Sequence, residues 1–511
     1  MGPPMLPLGF SCVRMDDQLE FSPNPCWTCR RRRLKCDGCL PTCFKCKTKG
    51  RECLGYGTNK PLVWAGLESR GKMVRQCFGE QTIESLARKQ RLASLNLLLN
   101  KTLTDPAFQD LSPRARHHIS YYIDRCCLEC TLYEPEAPNA FKQFLTLMPG
   151  NPVLIHSILA VAASHQARAV AQSAASPSEN GISRQLALNC TEVTRFKPPN
   201  DASSAHYSDA LTHSSISLGA LREALAKTAE TLDALIAAVI LLIWVDVVDS
   251  GKSAWKHHLE GLKVLLSSQR AESRPNATST LQTWFEETFS ILSTIGSTFD
   301  PRLLPLLNIF SQSELDQILG GTELHSWIGC PADLLSTLHT FNATAITSEP
   351  PSSQDVTRWF TRIQDFDTEK WAAECPLPES AQSRRSLGEA WKGAIEIYGR
   401  RALSGRCADF QEVSDQLVQS TLSHLSQIDP NDTHFKGTVW PMFVVGGEAR
   451  TDEQRQAILT AFGHLLEFSH LSMFYLALGQ LKRAWSHSTP YPPGSSWIHE
   501  IWEHGEGLLL I

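Results

Sequence analysis

The chain has 511 residues, 42% of them hydrophobic, which excludes a disordered or fibrous protein and leaves room for roughly two to four domains or one large one. Its 48 basic and 53 acidic residues give a net charge of −5, so the total does not point to nucleic acid. The distribution does: residues 26–53, CWTCRRRRLKCDGCLPTCFKCKTKGREC, hold seven of the 16 cysteines and nine Lys and Arg against Asp37 and Glu52.

In chain order, residues 1–25 lack periodicity and read as a disordered tail. They also lack the basic and apolar regions of a secretory signal. A soluble intracellular protein is therefore expected, in a reducing compartment where clustered thiols bind metal rather than each other.

Within residues 26–53, adding 17 to Cys26, Cys29 and Cys36 gives Cys43, Cys46 and Cys53, so the stretch is a repeated three-cysteine unit. The same step from Cys39 lands on Tyr56. Six thiolates cannot saturate two separate tetrahedral zinc ions, but they can if two sulfurs bridge. The repeat makes Cys26 and Cys43 the natural bridges, with Cys29 and Cys36 completing one site and Cys46 and Cys53 the other. A rival grouping of Cys26, Cys29, Cys36 and Cys39 as one site has too short a gap between its pairs and strands three cysteines. So short a piece has little apolar material, and bound zinc would order it.

Between Cys29 and Cys36 lies RRRRLK, expected as a short helix with Leu34 packed inward and its cations outward. Such a helix suits the DNA major groove, where Arg and Lys read guanine and meet phosphates. Lys45, Lys47, Lys49 and Arg51 repeat the logic more weakly, in positions suited to backbone contact. Metal storage alone would not require these cations.

Residues 54–110 read as a linker, with a helical pattern over 83–103 whose apolar spacing would permit, but does not sustain, a coiled-coil homodimer. From residue 111 to 511 the pattern is helical. Ser112–Pro113 and Asn151–Pro152 look like helix starts. Residues 173–205 form a polar stretch read as a surface loop. HSSISLGALREALAKT, DALIAAVILLIWVDVV and AWKHHLEGLKVLLSS are amphipathic or fully apolar helices. The run Ala234–Val245 is too short to span a bilayer, and no membrane is expected.

Several tempting patterns fail. SGKSAW at 250–255 resembles a phosphate loop but lacks its first glycine. WIHEIWEHGE resembles HExxH, yet the second ligand position from His499 is Glu503, with His504 one residue too far. Cys127 and Cys130 form a lone CxxC and are expected as buried thiols. His257 and His258 read as ordinary helix residues, and Gly446–Gly447 as a segment end or close packing. No intact catalytic motif is present.

The pattern C-x2-C-x6-C-x6-C-x2-C-x6-C, with CRRRRLKCD and Pro41 two residues before the fourth cysteine, resembles the fungal Zn2Cys6 binuclear-cluster transcription factors. The segments MPGNPVLIHSILAVAASHQA, DALIAAVILLIWVDVVDSGKSAWKHHLEGLKVLL, EAWKGAIEIYGRRAL and VWPMFVVGGEARTDEQR resemble the fungal-specific transcription factor domain. GYGTNKPLVWAGLESRGK is similar to the flank of acriflavine-sensitivity regulators. The resemblance covers most of residues 26–460.

It implies a small zinc-cluster domain plus a large all-α regulatory domain that restrains the activator or recruits the transcription machinery, two Zn ions, and reading of CGG-type triplets in double-stranded DNA. Carried over by position, it implies base contact by Arg33 with Arg32, and phosphate contact by Arg30 and Lys35. The expected function is a nuclear regulator of RNA polymerase II transcription, activating a secondary-metabolite gene cluster. The alternatives are control of drug or stress resistance, or a helical ligand-binding or enzymatic protein with an accessory zinc module.

Overall fold

The computed structural model describes residues 21–57, 108, 111–133, 139–174, 198–226, 232–249, 254–272, 279–324, 326–407, 412–486, 491–492, 494–504 and 507–511. The helical pattern over 83–103, residues 250–253 of the phosphate-loop-like stretch and most of the polar stretch after residue 174 lie outside them. The chain divides into an N-terminal unit, 1–93, and a C-terminal unit, 94–511.

The C-terminal unit is built from helices, with no named strand among its described residues. Its centre is the helix Leu232–Asp249, buried almost all the way round from Ala234 to Val248. A helix apolar on every side is a core helix, and this one accounts for the long hydrophobic run. Pro152–Ser173 is long and apolar enough to cross a bilayer by length and composition, but 72% of its apolar window is buried inside the unit. It packs along Asp201–Leu225, where small residues allow close approach: Ser157 Oγ meets Ser217 Oγ at 2.8 Å, and Ser203 Oγ donates to the Ala167 carbonyl at 2.8 Å.

A second centre lies on Ala381–Ala402. Trp391 stacks on Trp440 with centroids 4.9 Å apart and planes 4° from parallel. Tyr398 donates to Asn342 Oδ1 at 2.6 Å, and Trp440 Nε1 to Thr298 Oγ1 at 3.2 Å. Tyr398 and Trp440 thus have their polar atoms paired where aromatic rings exclude water, whereas Trp391 Nε1 is buried without a partner.

The start signals fare unequally. Ser112 accepts from the Ala115 amide with Pro113 in the first turn, as expected. At the second site the helix begins at Pro152, yet Asn151 Oδ1 is buried without a hydrogen bond, and only the Asn151 carbonyl joins the helix, accepting from the Ile155 amide. The expected loop through 205 ends early: Asn200 accepts from the Ser203 amide and starts a helix at Asp201. The Ser, Asn and Asp that read as loop residues are also the preferred helix caps. Gly447 closes its helix as expected, and a Cβ on it would lie 2.4 Å from Trp497 Cε2.

Candidate metal centre and nucleic-acid interface

The 17-residue repeat of the sequence is a structural repeat. Helix α1 spans Trp27–Arg31 and α2 spans Phe44–Thr48, each following the first cysteine of its unit. Cys26 Sγ accepts from the Cys29 amide at 3.3 Å, and Cys43 Sγ from the Cys46 amide at 3.2 Å. Each helix then closes on the carbonyl of its second cysteine: Leu34 N–H donates to Cys29 at 3.0 Å, and Arg51 N–H to Cys46 at 2.9 Å. Left-handed backbone follows at Arg33 (φ 50°) and Gly50 (φ 56°), and again at Gly38 and Gly55.

Five-residue helices have no stability of their own, so what holds them is the sulfur cluster. Cys26, Cys29, Cys43 and Cys46 are buried, with Sγ separations of 3.6 Å for Cys26–Cys43, 3.7 Å for Cys29–Cys43, 3.9 Å for Cys26–Cys46 and 4.0 Å for Cys29–Cys46. A disulfide needs about 2.05 Å, whereas two thiolates on one tetrahedral zinc sit about 3.8 Å apart, given Zn–S bonds of about 2.3 Å. The donor set therefore fits zinc. Cys36 and Cys53 pack against the four. Burial pushes the Cys26 and Cys43 thiols up. Burial also raises Cys36, but the Cys26 and Gly38 amides outweigh it and bring it down to about 7. Cys53 is lowered in the same way by the Cys43 and Gly55 amides. All four of these sulfurs accept from backbone amides, but burial outweighs the amide at Cys26 and Cys43 and not at Cys36 and Cys53.

Cys39 serves another purpose. It forms an antiparallel bridge with Phe21, its amide donates to Asp37 Oδ1 at 3.2 Å, and its carbonyl accepts from Tyr56 Oη at 2.7 Å. Residues 21–25, read as part of a disordered tail, thus begin with a segment held on the finger, where Ser22 N–H also donates to the Gly38 carbonyl at 2.8 Å.

The basic run departs from the expected helix. Only Arg30 and Arg31 are helical; Arg32 caps α1, Arg33 turns left-handed, and Leu34 is 36% exposed rather than packed inward. Closure onto the Cys29 carbonyl ends the helix early, and the sulfur cluster already fills the interior. Arg30, Arg31, Arg32, Arg33 and Lys35 are all exposed, with the Arg30 guanidinium 4.9 Å from the Trp27 ring centroid. Lys47 is exposed too, but Lys45 is half-buried and its Nζ donates to the Lys35 carbonyl at 3.1 Å, tying the second unit to the end of the first loop.

Sequence reasoning missed three framing residues. Asp37 accepts from the Phe44 and Lys45 amides at 2.9 and 3.0 Å; burial raises its carboxyl, and these donors hold it below the usual range. Thr28 Oγ1 donates to the Glu52 carbonyl and accepts from the Leu54 amide, both at 2.9 Å. Trp27 Nε1 donates to the Gly57 carbonyl at 2.7 Å. An Asp directly after the third cysteine of the first unit was the available signal for the first of these.

Two of the other patterns fall on described residues. His499 Nδ1 lies on Ser496 Oγ at 2.9 Å while His504 is exposed, so no HExxH pair forms. Cys126, Cys127 and Cys130 are buried thiols, all raised by burial.

Residues 24–61 match the fungal Zn(2)-Cys(6) binuclear cluster domain, and residues 117–511 match the fungal specific transcription factor domain. The acriflavine sensitivity control protein acr-2 of Neurospora crassa is 23% identical over 535 aligned residues, covering 83% of this chain and 84% of that protein. The phomenoic acid biosynthesis cluster-specific transcriptional regulator of Leptosphaeria maculans is 21% identical, covering 83% and 78%. The C6 finger domain transcription factor hasF of Aspergillus fumigatus is 34% identical over 95 residues, 18% of this chain and 12% of that protein. No solved structure matches. These relatives and domains are transcription factors, not enzymes. Taken with a cysteine cluster whose spacing suits shared zinc, the two matches establish that the chain belongs to the fungal transcription factors that pair a zinc-binding, DNA-binding Zn2Cys6 cluster with a helical fungal specific transcription factor domain.

Proposed function

We propose that this protein is a nuclear regulator of RNA polymerase II transcription whose finger reads CGG-type triplets. The observation that carries the reading is the placement of the arginines. Two short helices tied to a sulfur cluster leave Arg32 and Arg33 exposed where α1 ends, so the metal frame fixes the direction of the reading side chains. Arg32 and Arg33 contact guanine edges; Arg30 and Lys35 contact phosphates, with Lys47 and Lys45 on the flanking backbone. The ligands are Cys26, Cys29, Cys36, Cys43, Cys46 and Cys53. Cys26 and Cys43 bridge, which is supported by their being the closest pair at 3.6 Å and fully buried.

The Leptosphaeria relative, described as regulating a biosynthesis cluster, favours activation of a secondary-metabolite gene cluster. The Neurospora relative, described by acriflavine sensitivity, favours a second reading, control of drug resistance. The helical domain would then engage the transcription machinery, and a homodimer would place two fingers on paired half-sites.

The full-length protein is expected to prefer a CGG-containing duplex to a scrambled one at physiological salt, and equal affinity for both would sink the specific-reading claim. If four or five cations reach phosphates, log affinity should fall against log salt with a slope of roughly −4. Genome-wide binding combined with transcript changes on deletion decides between the two biological roles.

A further inference from the structure

Away from the finger, two imidazoles converge on one carboxylate in the helical unit, with a third imidazole beside them. His118, on the helix Pro113–Tyr121, is fully buried. His206 and Asp209 stand three residues apart on Asp201–Leu225, hence on one face of that helix. Donor atoms of His118, His206 and Asp209 all lie within 4.8 Å of one another. The His118 and His206 rings stand edge to face at 5.4 Å, and His117 lies 6.3 Å from His206.

We propose that His118, His206 and Asp209 form a binding site for a divalent transition-metal ion of the zinc class, pinning the helix Pro113–Tyr121 to Asp201–Leu225. Two imidazoles and a carboxylate are the donor set of zinc sites that keep a fourth position open. Two independent observations support a cation here. His206 Nδ1 is buried and has no hydrogen-bond partner. His118 Nε2 faces Asp209 Oδ2 at 2.9 Å while its Nδ1 contacts Gln166 Oε1 at 3.1 Å. The Gln166 amide is oriented in turn by its Nε2, which lies 2.8 Å from His117 Nε2. With Gln166 oxygen accepting from Nδ1–H, the Nε2 lone pair can meet the carboxylate only through a proton or a metal. A carbonyl oxygen on the far imidazole nitrogen is also the usual support of a metal-bound histidine.

Ligands of tetrahedral zinc at about 2.05 Å lie about 3.3 Å apart, so His118 Nε2 and Asp209 Oδ2, at 2.9 Å, would open slightly around an ion, and the remaining donor separations, all within 4.8 Å, would adjust to about that spacing. The competitor is Arg114, whose Nε pairs with the same Asp209 oxygen but whose side chain is 51% exposed and can swing into solvent. A cation at the site repels that guanidinium, so removing Arg114 should tighten metal binding.

The test uses the full-length protein with its two finger zinc ions in place. Equilibrium dialysis against zinc chloride, followed by elemental analysis, should find one further ion per chain. His206→Ala and Asp209→Asn should each remove that ion while leaving the finger zinc. Arg114→Gln should tighten it on the order of tenfold. Cobalt(II) added to the zinc-loaded protein should give visible d–d bands without sulfur charge-transfer absorption, which distinguishes this site from cysteines. Zinc binding that saturates with the finger ions alone overturns the proposal and leaves a proton-filled hydrogen-bond network. So does an extra ion that survives in both His206→Ala and Asp209→Asn. In zinc-free buffer Asp209→Asn is expected to melt below the wild type, because it also loses the pairs to His118 and Arg114, so the pinning role is read from the zinc-dependent shift alone: helix melting that rises with zinc in the wild type and in neither His206→Ala nor Asp209→Asn supports it, and a rise of equal size in all three overturns it.

Discussion

Arg33 carries two demands in one residue. Its φ of 50° is a conformation that costs an L-residue about 1–2 kcal/mol, and the equivalent position in the second unit is Gly50, which adopts it freely. Its side chain is exposed at the end of α1, where the proposed base contact lies. Arg33→Gly is therefore expected to keep the metal and leave finger stability within about 1 kcal/mol, because relief of strain is offset by the greater freedom of glycine in the unfolded chain. CGG affinity should nevertheless fall at least about tenfold. Metal analysis and a gel-shift titration of the same sample separate the two effects, and loss of zinc would show that Arg33 acts through the fold. The cysteines divide in a similar way. Cys39→Ser should retain both zinc ions and DNA binding, since only the backbone of Cys39 is engaged, whereas Cys36→Ser removes a thiolate that two amides stabilise and should lose the ordered finger. Equal damage from the two would refute the grouping of ligands.

At the scale of elements, glycines and a buried acid report how closely the helices meet. A Cβ on Gly399 would stand 2.5 Å from Phe341 Cε2, so Gly399→Ala should destabilise the helical unit by about 1–3 kcal/mol, read by chemical denaturation. Glu287 is buried beside Glu286, and burial first, then that neighbouring charge, raises its carboxyl to about 7. The folded state holds a proton that the unfolded chain releases near pH 4.5, so the penalty is absent below about pH 4.5, grows as pH rises, and is complete above about 7. Glu287→Gln should therefore gain about 1–3 kcal/mol over the wild type at pH 8 and nothing at pH 4.5. A gain of the same size at both pH values would mean that packing, not charge, is the cause. Helix identities were legible here because the apolar periods are strong. The start at Asp201 was not, since Ser, Asn and Asp serve loops and caps equally, and only the Ser203 amide on Asn200 decides.

For the whole molecule, chelation should separate the two units. Removing zinc takes away the ion that orders the finger, so DNA binding should vanish, while the far-UV helical signal, which among the described residues comes almost wholly from those after 111, should remain within a few per cent. Collapse of that signal would mean the helical unit depends on the finger metal.

The amino-acid sequence alone determined the metal chemistry and the architecture class. The number and spacing of ligands are local properties, repeated 17 residues apart, and the helical periods of the rest are local too. Tertiary structure decided where each side chain points and which distant residues meet. It turned Arg33 left-handed, brought Leu34 out, drew Lys45 back onto the Lys35 carbonyl and recruited Asp37 and Tyr56 as braces. It also placed His118 against Asp209, 91 residues away. Neither of those last two residues stands out in the sequence, because a site assembled by packing two helices leaves no spacing signature on either of them.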